Sequence, residues 1–367
     1  MSAAVWWEPS FTDGSARAGV LHTPHGQVPT PAFMPVGTRA AVRGVDVDDL
    51  TAVGTQMVLA NTYHLMLRPG AAIIEAIGGL HDFWGWGGPI LTDSGGYQIF
   101  SLRPRITENG AEFRSTYDGS GVSLSPEEAV KIQEALGPDI AMVLDVCVGL
   151  PATPEIVRAG LELTLRWAER SLGRHQRPDQ ALFGIVQGGI DPDLRAQSAR
   201  ATAALGFPGF GIGGLSVGET PAERAVALSA ALAELPPAKP RYVMGLGDPT
   251  GVLDAVMRGA DLFDCVWPTR LARHGRVLTA GGDFNLRRAQ FSSDSLPLEP
   301  GCPCRTCQTH NRAYLRHLLA SNELSAFRLL SVHNLHYTLA LLHGARQAIG
   351  TGGLAEFTRS VNAIRNG

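Results

Sequence analysis

Short runs of apolar and β-branched residues alternate along this chain with longer segments in which apolar residues recur at helical spacing. A loop that carries Gly, Asn, Asp or Gln follows each apolar run. Eight such runs predict strands at residues 31–37, 56–62, 89–93, 140–147, 181–187, 209–215, 241–245 and 262–266. Because helical patterns separate several of these strands, we predict an α/β fold of the TIM (β/α)8-barrel type.

Helix start signals support this prediction. Ser125 precedes Pro126 and two glutamates, which combines an N-cap, a proline in the first turn and acidic side chains near a helix N-terminus. Thr220 and Pro221 repeat the same signal. The predicted helices span residues 126–136, 153–172, 192–205, 225–235, 248–257, 311–321 and 324–343.

Two stretches depart from simple alternation. Residues 101–122 carry two Gly-containing turn signals, which predict a hairpin inserted after the third strand. Residues 281–344 carry a cysteine cluster and two predicted helices, which predict a small metal-binding subdomain. The predicted domains are a barrel core over residues 1–280, this subdomain over 281–344, and a C-terminal helix over 345–367 that packs back on the barrel.

Composition and charge narrow the class of protein. With 367 residues, 44% of them hydrophobic and 18% charged, the chain is typical of globular proteins with a substantial core. It has neither a membrane-length apolar run nor a basic segment before an apolar stretch at its start, which indicates a cytoplasmic protein and no membrane partner. The formal net charge of −3 argues against a uniformly basic surface, yet residues 265–346 contain ten arginines and only four acidic residues.

Polar residues and glycines stand where the predicted strands end. Active sites of such barrels are built at the C-terminal ends of the strands, so these residues are expected to meet in one site. A single Asp or Asn at such a position is more often a helix cap or turn residue, and only their number favours a functional site. The candidates are Asn61, Asp93, Asp145, Gln187, Gly213, Gly214 and Asp264.

Three soft metal ligands lie within six residues, namely Cys302, Cys304 and Cys307. A fourth ligand would complete a tetrahedral zinc site with no open position, and such sites are structural. His310 is awkwardly close to the cysteines for this purpose. Spacing alone does not distinguish His333 from His336 as the fourth ligand.

Five motifs occur in order: TDSGGYQ at 92–98, FGIVQGG at 183–189, GGLSVGE at 213–219, DCVWPTR at 264–270, and the cysteine cluster at 302–307. In the sequence and order of these five motifs, the chain resembles the bacterial type of the queuine tRNA-ribosyltransferases, which are also called tRNA-guanine transglycosylases. The resemblance implies a TIM barrel with a zinc subdomain, and a pentosyltransferase that exchanges the wobble guanine of a tRNA for a 7-deazaguanine. It also implies one structural Zn²⁺ ion held by Cys302, Cys304, Cys307 and His333.

The resemblance implies residue roles as well. Base exchange at a ribose needs one carboxylate nucleophile and one acid/base group, as in a retaining glycosidase. Asp264 would attack the ribose to form a covalent RNA–enzyme intermediate, and Asp93 would be the general acid/base. The substrate-binding set would be Asp93, Ser94, Gly95, Gly96, Tyr97, Asp145, Cys147, Gln187, Gly213, Gly214, Leu215, Val217, Glu219 and Met244.

Guanine presents two donors beside an acceptor, so its pocket needs a carboxylate next to amide donors. Asp145, Gln187 and the backbone N–H of Gly214 supply that pattern. The family places these groups on the Watson–Crick face of the base, between Tyr97 and Met244.

Cys147 and Val217 resemble residues of bacterial enzymes that accept the small precursor preQ1, 7-aminomethyl-7-deazaguanine. The aminomethyl cation would lie near the Leu215 carbonyl and Glu219. The implied targets are the tRNAs for Asp, Asn, His and Tyr, which have GUN anticodons. Val146 departs from the family pattern, in which bacterial members usually carry an acid, and this leaves the fine base preference open.

Arg270 and Arg273 follow Asp264 closely and are expected to contact RNA phosphates. Members of this family are commonly homodimers, so a homodimer is implied. The alternatives are a non-catalytic RNA-binding subunit of the same family, a related transglycosylase that uses another 7-deazaguanine or DNA, and a carbohydrate-active barrel. The presence of both Asp93 and Asp264 argues against the first alternative, and the guanine-reading set argues against the last.

Overall fold

Eight parallel strands close into a barrel at the centre of the computed structural model, which describes residues 4–366. The strands are β1 (Trp6–Asp13), β2 (Ala16–Thr23), β3 (Gly26–Thr30), β4 (Ala32–Gly37), β5 (Val58–Ala60), β6 (Ile90–Thr92), β7 (Arg105–Thr107), β8 (Gly110–Arg114), β9 (Gly121–Leu124), β10 (Ile140–Met142), β11 (Ala181–Val186), β12 (Phe210–Ile212), β13 (Arg241–Val243), β14 (Leu262–Cys265), β15 (Arg276–Val277) and β16 (Phe284–Asn285).

The barrel strands follow one another in chain order, β4–β5–β6–β10–β11–β12–β13–β14, and β14 pairs with β4 to close the circle. Each of them lies inside a strand predicted from the sequence, so the fold-class prediction is confirmed. Most of their residues are buried, as expected for a parallel barrel that helices cover. The strands are shorter than predicted because the apolar pattern continues past the ladder, as in residues 143–147, into the loops of the cavity.

The helices are α1 (Val47–Ala52), α2 (Thr62–Leu67), α3 (Ala71–Ala76), α4 (Leu80–Trp84), α5 (Gly96–Ser101), α6 (Pro126–Leu136), α7 (Pro154–Arg174), α8 (Pro192–Ala204), α9 (Pro221–Glu234), α10 (Pro249–Met257), α11 (Trp267–Arg273), α12 (Arg305–Thr309), α13 (Arg312–Ala320), α14 (Leu324–Thr351) and α15 (Leu354–Asn366). The predicted start signals are confirmed. Ser125 accepts a hydrogen bond from the Glu128 N–H, and Thr220 forms a capping box with Glu223.

Helix α14 extends beyond its predicted end at residue 343 to Thr351, so the predicted domain boundary at 344 falls inside a continuous helix. Gly344 lies within the helix and does not end it. A Cβ at this position would lie 2.8 Å from the Phe357 ring, so the glycine lets α15 pack closely on α14. Because α14 also packs on β4 and α11, it takes the place of the eighth barrel helix.

Two three-stranded antiparallel sheets extend the barrel, and β15 and β16 form a further two-stranded sheet. Strands β1, β2 and β3 form a sheet that the sequence patterns did not predict. It lies at the N-terminal ends of the barrel strands, where Arg17 forms a buried ion pair with Asp261 just before β14. The predicted hairpin at 101–122 is present as β7 and β8, but a third strand, β9, pairs with β8 and extends the insert to Leu124. None of the helices in residues 4–366 is long and apolar enough to cross a membrane.

Candidate active site and metal centre

A cavity of about 440 Å³ opens at the C-terminal ends of the barrel strands, where the sequence predicts the site. Three predicted site residues, Gln187, Glu219 and Arg273, do not line it. The predicted site residues that do line it are Asn61, Asp93, Ser94, Gly95, Gly96, Tyr97, Asp145, Cys147, Gly213, Gly214, Leu215, Val217, Met244, Asp264 and Arg270. The barrel therefore brings together residues that are far apart in the chain, from Val36 to Arg270.

Asp93 directly follows β6, and the loop after β5 fixes its carboxylate. The N–H groups of Thr62 and Gly95 donate to its Oδ1 at 2.9 and 3.2 Å, and Asn61 Nδ2 donates to its Oδ2 at 2.5 Å. Burial raises the pKa of Asp93 to about 7, although the two backbone donors act against this rise. The nearby charge of Asp264 raises that pKa further. Asp93 therefore exchanges its proton near neutral pH.

Asp264 lies within β14 and is held by two donors on a single oxygen. Tyr242 Oη donates to Asp264 Oδ1 at 2.6 Å, and the Gly245 N–H donates to the same atom at 2.7 Å. Its Oδ2 has no hydrogen-bond partner among residues 4–366. Burial raises the pKa of Asp264, and the two donors oppose that rise. One carboxylate oxygen is thus anchored while the other is left free.

Asp145 stands after β10 and is held through both of its oxygens. Ser94 Oγ donates to Oδ1 at 3.1 Å, and Gln187 Nε2 donates to Oδ2 at 2.6 Å. Gly96 packs directly against this carboxylate, since a Cβ there would lie 2.4 Å from Asp145 Oδ1. Burial raises the pKa of Asp145. Gln187 lies behind Asp145, which explains why it does not line the cavity.

The Gly213-Gly214 turn after β12 approaches Gln187 so closely that side chains are excluded. Gly214 has a φ of +65°, and a Cβ there would lie 2.2 Å from Gln187 Oε1. A Cβ at Gly213 would lie 2.8 Å from Gln187 Nε2. Glycine at both positions therefore brings the backbone against the polar wall of the cavity.

Arg195 is a structural part of this site that the sequence patterns did not predict. It is fully buried on α8, and its Nη1 donates to the Gly213 carbonyl at 2.7 Å while its Nη2 donates to the Gly214 carbonyl at 3.1 Å. Its Nε donates to the Gly189 carbonyl at 2.7 Å. Burial lowers the pKa of Arg195 to about 10, so it stays charged at neutral pH.

The loop after Gly214 is held by Glu219. The buried side chain of Glu219 accepts hydrogen bonds from the N–H groups of Ser216 at 2.5 Å and Val217 at 3.0 Å. Ser216 has a φ of +71°, an unusual conformation for a residue with a side chain. Glu219 therefore shapes the wall formed by Leu215 and Val217 rather than lining the cavity itself.

Three further predicted residues, Tyr97, Met244 and Cys147, line the cavity. Tyr97 is 58% exposed at the cavity entrance, and Met244 lines the interior. Burial raises the pKa of Cys147 to about 12, so its thiol stays neutral.

Beside Cys147, the side chain of Val146 packs into an apolar cluster with Trp167, and its N–H donates to Thr164 Oγ1 at 3.0 Å. The valine that stands where bacterial members usually carry an acid therefore packs against apolar side chains.

Arg270 and Arg273 lie on α11, directly after the strand that carries Asp264. Arg270 lines the cavity and is exposed, whereas Arg273 is half-buried. Burial lowers the pKa of Arg273, and the charges of Arg43 and Arg270 lower it further. Within residues 4–366 neither Arg270 nor Arg273 forms an ion pair, so their charges are available to a ligand.

The three clustered cysteines form one four-ligand group with His333 on α14. The Sγ atoms of Cys302, Cys304 and Cys307 lie 3.7, 3.5 and 3.4 Å from His333 Nδ1. Ligands about 2.3 Å (sulfur) and 2.0 Å (nitrogen) from a tetrahedral zinc ion would lie about 3.6 Å from one another, so the residues fit a zinc site. His333 Nε2 lies 2.8 Å from the Leu278 carbonyl, which leaves Nδ1 to face the ion.

A closed parallel barrel with several buried carboxylates at the C-terminal ends of its strands defines the class, a (β/α)8-barrel protein with an enzyme-like cavity. A sequence model described as "Queuine tRNA-ribosyltransferase" matches residues 13–366. The chain therefore belongs to the queuine tRNA-ribosyltransferase family, as the motifs predicted.

Several curated relatives agree with this membership. A protein named queuine tRNA-ribosyltransferase from Moorella thermoacetica is 52% identical over 93% of this chain and 92% of the relative. Proteins of the same name from Thermus thermophilus and Thermosynechococcus vestitus are 50% and 53% identical over 96% and 91% of this chain, and 92% and 89% of the relatives. The similarity therefore covers the barrel and the cysteine cluster together.

Proposed function

We propose that this protein is a tRNA-guanine transglycosylase, a pentosyltransferase that replaces a guanine in tRNA with another base. Asp93 and Asp264 carry the proposal, because they meet in one cavity with one free oxygen on Asp264 and a near-neutral pKa on Asp93. Breaking and remaking an N-glycosidic bond with retention requires one nucleophile and one proton carrier. The names of the relatives point to the same reaction class.

In the proposed reaction, Asp264 Oδ2 attacks the ribose C1′ while the bond from C1′ to guanine N9 breaks. Tyr242 and the Gly245 N–H orient the carboxylate through Oδ1. Protonated Asp93 gives a proton to the departing guanine and later takes one from the incoming base, which displaces Asp264 from C1′. A group with a pKa of about 7 suits both transfers at neutral pH.

Base recognition would rest on Asp145, whose carboxylate can accept from the N1–H and N2–H₂ groups of guanine. Gln187 would hold that carboxylate in place from behind, since its Nε2 donates to Asp145 Oδ2. The Gly214 N–H would add to the recognition on the same side of the base, and Tyr97 and Met244 would bracket the ring. In this role Arg195 is a positioning residue, because it holds the carbonyls of Gly213 and Gly214.

We propose preQ1 as the incoming base, with the tRNAs that have GUN anticodons as targets. Cys147 and Val217, which resemble residues of bacterial enzymes that accept preQ1, both line the cavity. Glu219 would act through the Ser216 and Val217 backbone, to which it is bonded. Incorporation rates of preQ1 and queuine into the same tRNA distinguish the two bases. Faster incorporation of queuine would contradict the choice of preQ1.

For the cysteine cluster we propose one structural Zn²⁺ ion bound by Cys302, Cys304, Cys307 and His333. With four protein ligands the ion has no open position, so it would contribute folding stability and no chemical step.

The homodimer is also a proposal. The subdomain presents apolar side chains to solvent, with Tyr314 45% and Leu324 81% exposed. Light scattering after size exclusion should give a mass near twice 39.0 kDa, whereas a mass of one chain would contradict the dimer.

The decisive experiment measures exchange of radiolabelled guanine into tRNA by the wild type and by Asp264→Asn. We expect the wild type to exchange guanine and to form a covalent RNA adduct, and Asp264→Asn to lose both while binding RNA within a few-fold of wild type. Asp254→Asn is the matched control, since Asp254 lies on α10 and pairs with Arg258 at the surface. RNA binding without exchange in the wild type would instead favour a non-catalytic subunit, and continued exchange in Asp264→Asn would mean that another residue is the nucleophile.

A further inference from the structure

The arginines of this protein differ in whether they bind a carboxylate, and some without an ion pair within residues 4–366 also lie on the subdomain, such as Arg305 and Arg316. On the outer helices most of them bind a carboxylate, as Arg166 binds Glu108 and Arg170 binds Glu127. Around the cavity opening, five arginines have no ion-pair partner within residues 4–366. They are Arg39, Arg43, Arg68, Arg270 and Arg273. Unpaired cations gathered at one opening are available for an anionic partner.

Two of these arginines stack on one tyrosine, and we call Arg39, Arg68 and Tyr117 the Tyr117 cluster. The guanidinium carbon of Arg39 lies 5.4 Å from the ring centroid, and that of Arg68 lies 4.8 Å from it. Cation–π contacts of this kind hold a guanidinium in place while its N–H donors remain free. Tyr117 is supplied by the loop between β8 and β9, which gives the inserted sheet a role at the opening.

Contacts with the cavity wall place the Tyr117 cluster at the entrance. Tyr117 Oη lies 3.0 Å from His64 Nδ1, and His64 lines the cavity. Thr38, the neighbour of Arg39 in the chain, lines the cavity as well. Neither Arg39 nor Arg68 forms an ion pair with a carboxylate among residues 4–366, and the exposed Asp118 accepts from Ser120 Oγ at 2.8 Å instead. No acidic side chain in this part of the chain therefore neutralises the cluster.

The Tyr117 cluster and the pair Arg270 and Arg273 come from separate parts of the barrel. The cluster belongs to the loops after β4, β5 and β8, whereas the pair belongs to α11 after β14. A strand of RNA whose base enters the cavity has phosphates on both sides of that nucleotide. Two separate cationic groups at one entrance match this arrangement.

We propose that the Tyr117 cluster is a second phosphate-binding site for the RNA strand, distinct from Arg270 and Arg273, and that Arg39 and Arg68 each bind a backbone phosphate beside the nucleotide that enters the cavity. This inference rests on the proposed function, since it names the part of the surface that holds the RNA substrate. The contacts are to the backbone, so they add affinity and leave the choice of base to the cavity.

The test measures the salt dependence of RNA binding without turnover. An anticodon stem–loop with a GUN anticodon is titrated by fluorescence anisotropy at several salt concentrations, with wild type, Arg39→Gln/Arg68→Gln and the control Arg158→Gln/Arg359→Gln. Arg158 and Arg359 are exposed on α7 and α15 and form no ion pair within residues 4–366. The control therefore removes the same charge elsewhere.

Each phosphate contact on a single strand contributes about 0.7 to the slope of log K against log salt, so we expect the slope of the Tyr117-cluster variant to fall by about 1.4. At 0.1 M salt this corresponds to roughly a 25-fold loss of affinity. The control should keep the wild-type slope. A slope in the cluster variant equal to that of the control would overturn the inference, even if wild-type base exchange is intact. Conversely, RNA binding without base exchange in the wild type would refute the proposed function, while the slopes would still decide the inference.

Discussion

The carboxylates of the cavity differ in how their oxygens are occupied. Asp93 and Asp145 accept hydrogen bonds on both oxygens, whereas Asp264 accepts on Oδ1 alone. An oxygen that is free of donors keeps its lone pairs for a reacting atom, which suits a nucleophile. The raised pKa of Asp93 suits proton transfer instead. Burial and hydrogen bonding thus give chemically identical side chains different abilities.

The raised pKa of Asp93 also predicts a pH-dependent cost in stability. The native state keeps a proton on Asp93 up to pH of about 7, whereas the unfolded chain loses it near pH 3.8. Between these values the native state binds more protons, so this group makes the protein less stable as pH rises. Asp93→Asn cannot titrate. Its unfolding free energy relative to wild type should therefore increase by about 2–4 kcal/mol from pH 4 to pH 7, and level off above.

Urea denaturation of wild type and Asp93→Asn across this pH range measures that difference, and the contributions of other groups largely cancel in it. The surface variant Asp254→Asn is the control. Its unfolding free energy relative to wild type should change less between pH 4 and pH 7 than that of Asp93→Asn. A difference between Asp93→Asn and wild type that stays constant from pH 4 to pH 8 would contradict the raised pKa.

At the level of elements, the sequence predicts what is buried and periodic. The eight barrel strands and the proline-started helices were found because burial makes their patterns regular. Strand β1 was missed because most of its residues are exposed and do not alternate. Helix α14 continues to Thr351, beyond its predicted end at residue 343, and Gly344 within it serves close packing with Phe357. Such packing depends on an element more than ten residues away in the chain.

The two glycines of α14, Gly344 and Gly350, should respond oppositely to alanine. Gly350 has only Phe11 near an added Cβ, at 3.9 Å, so Gly350→Ala should stabilise the protein by about 0.5–1 kcal/mol through helix propensity. At Gly344 an added Cβ would lie 2.8 Å from the Phe357 ring, and the resulting shift of α15 should cost about 1–3 kcal/mol. Urea denaturation of both variants gives the comparison. Equal stabilisation by both would mean that α15 moves away freely.

At the scale of the whole molecule, motifs predicted the cavity residues but not the groups that support them. Arg195 and Tyr242 could not be assigned from the sequence, since each acts on residues far along the chain that only the closed barrel brings near. The metal centre shows the same dependence. Asn334 adjoins His333 on α14, and its side chain bonds the Leu278 N–H at 3.0 Å and the Pro268 carbonyl at 3.0 Å. The helix that carries the proposed zinc ligand is therefore tied to the end of the barrel.

This connection predicts how the molecule responds to loss of zinc. The cysteines belong to a small apolar cluster of the subdomain, while α14 continues into the main core of the barrel through Leu335 and Leu342. Removal of the ion should therefore lower the melting temperature of the whole protein, by roughly 5 °C or more, instead of producing a separate early transition. Calorimetry with and without a zinc chelator measures this change, and added Zn²⁺ should restore the original value. Cys304→Ala should start from the lower value and respond to the chelator less than wild type, because the site has lost a ligand. An early transition with the main one unchanged would show that the subdomain melts independently of the barrel.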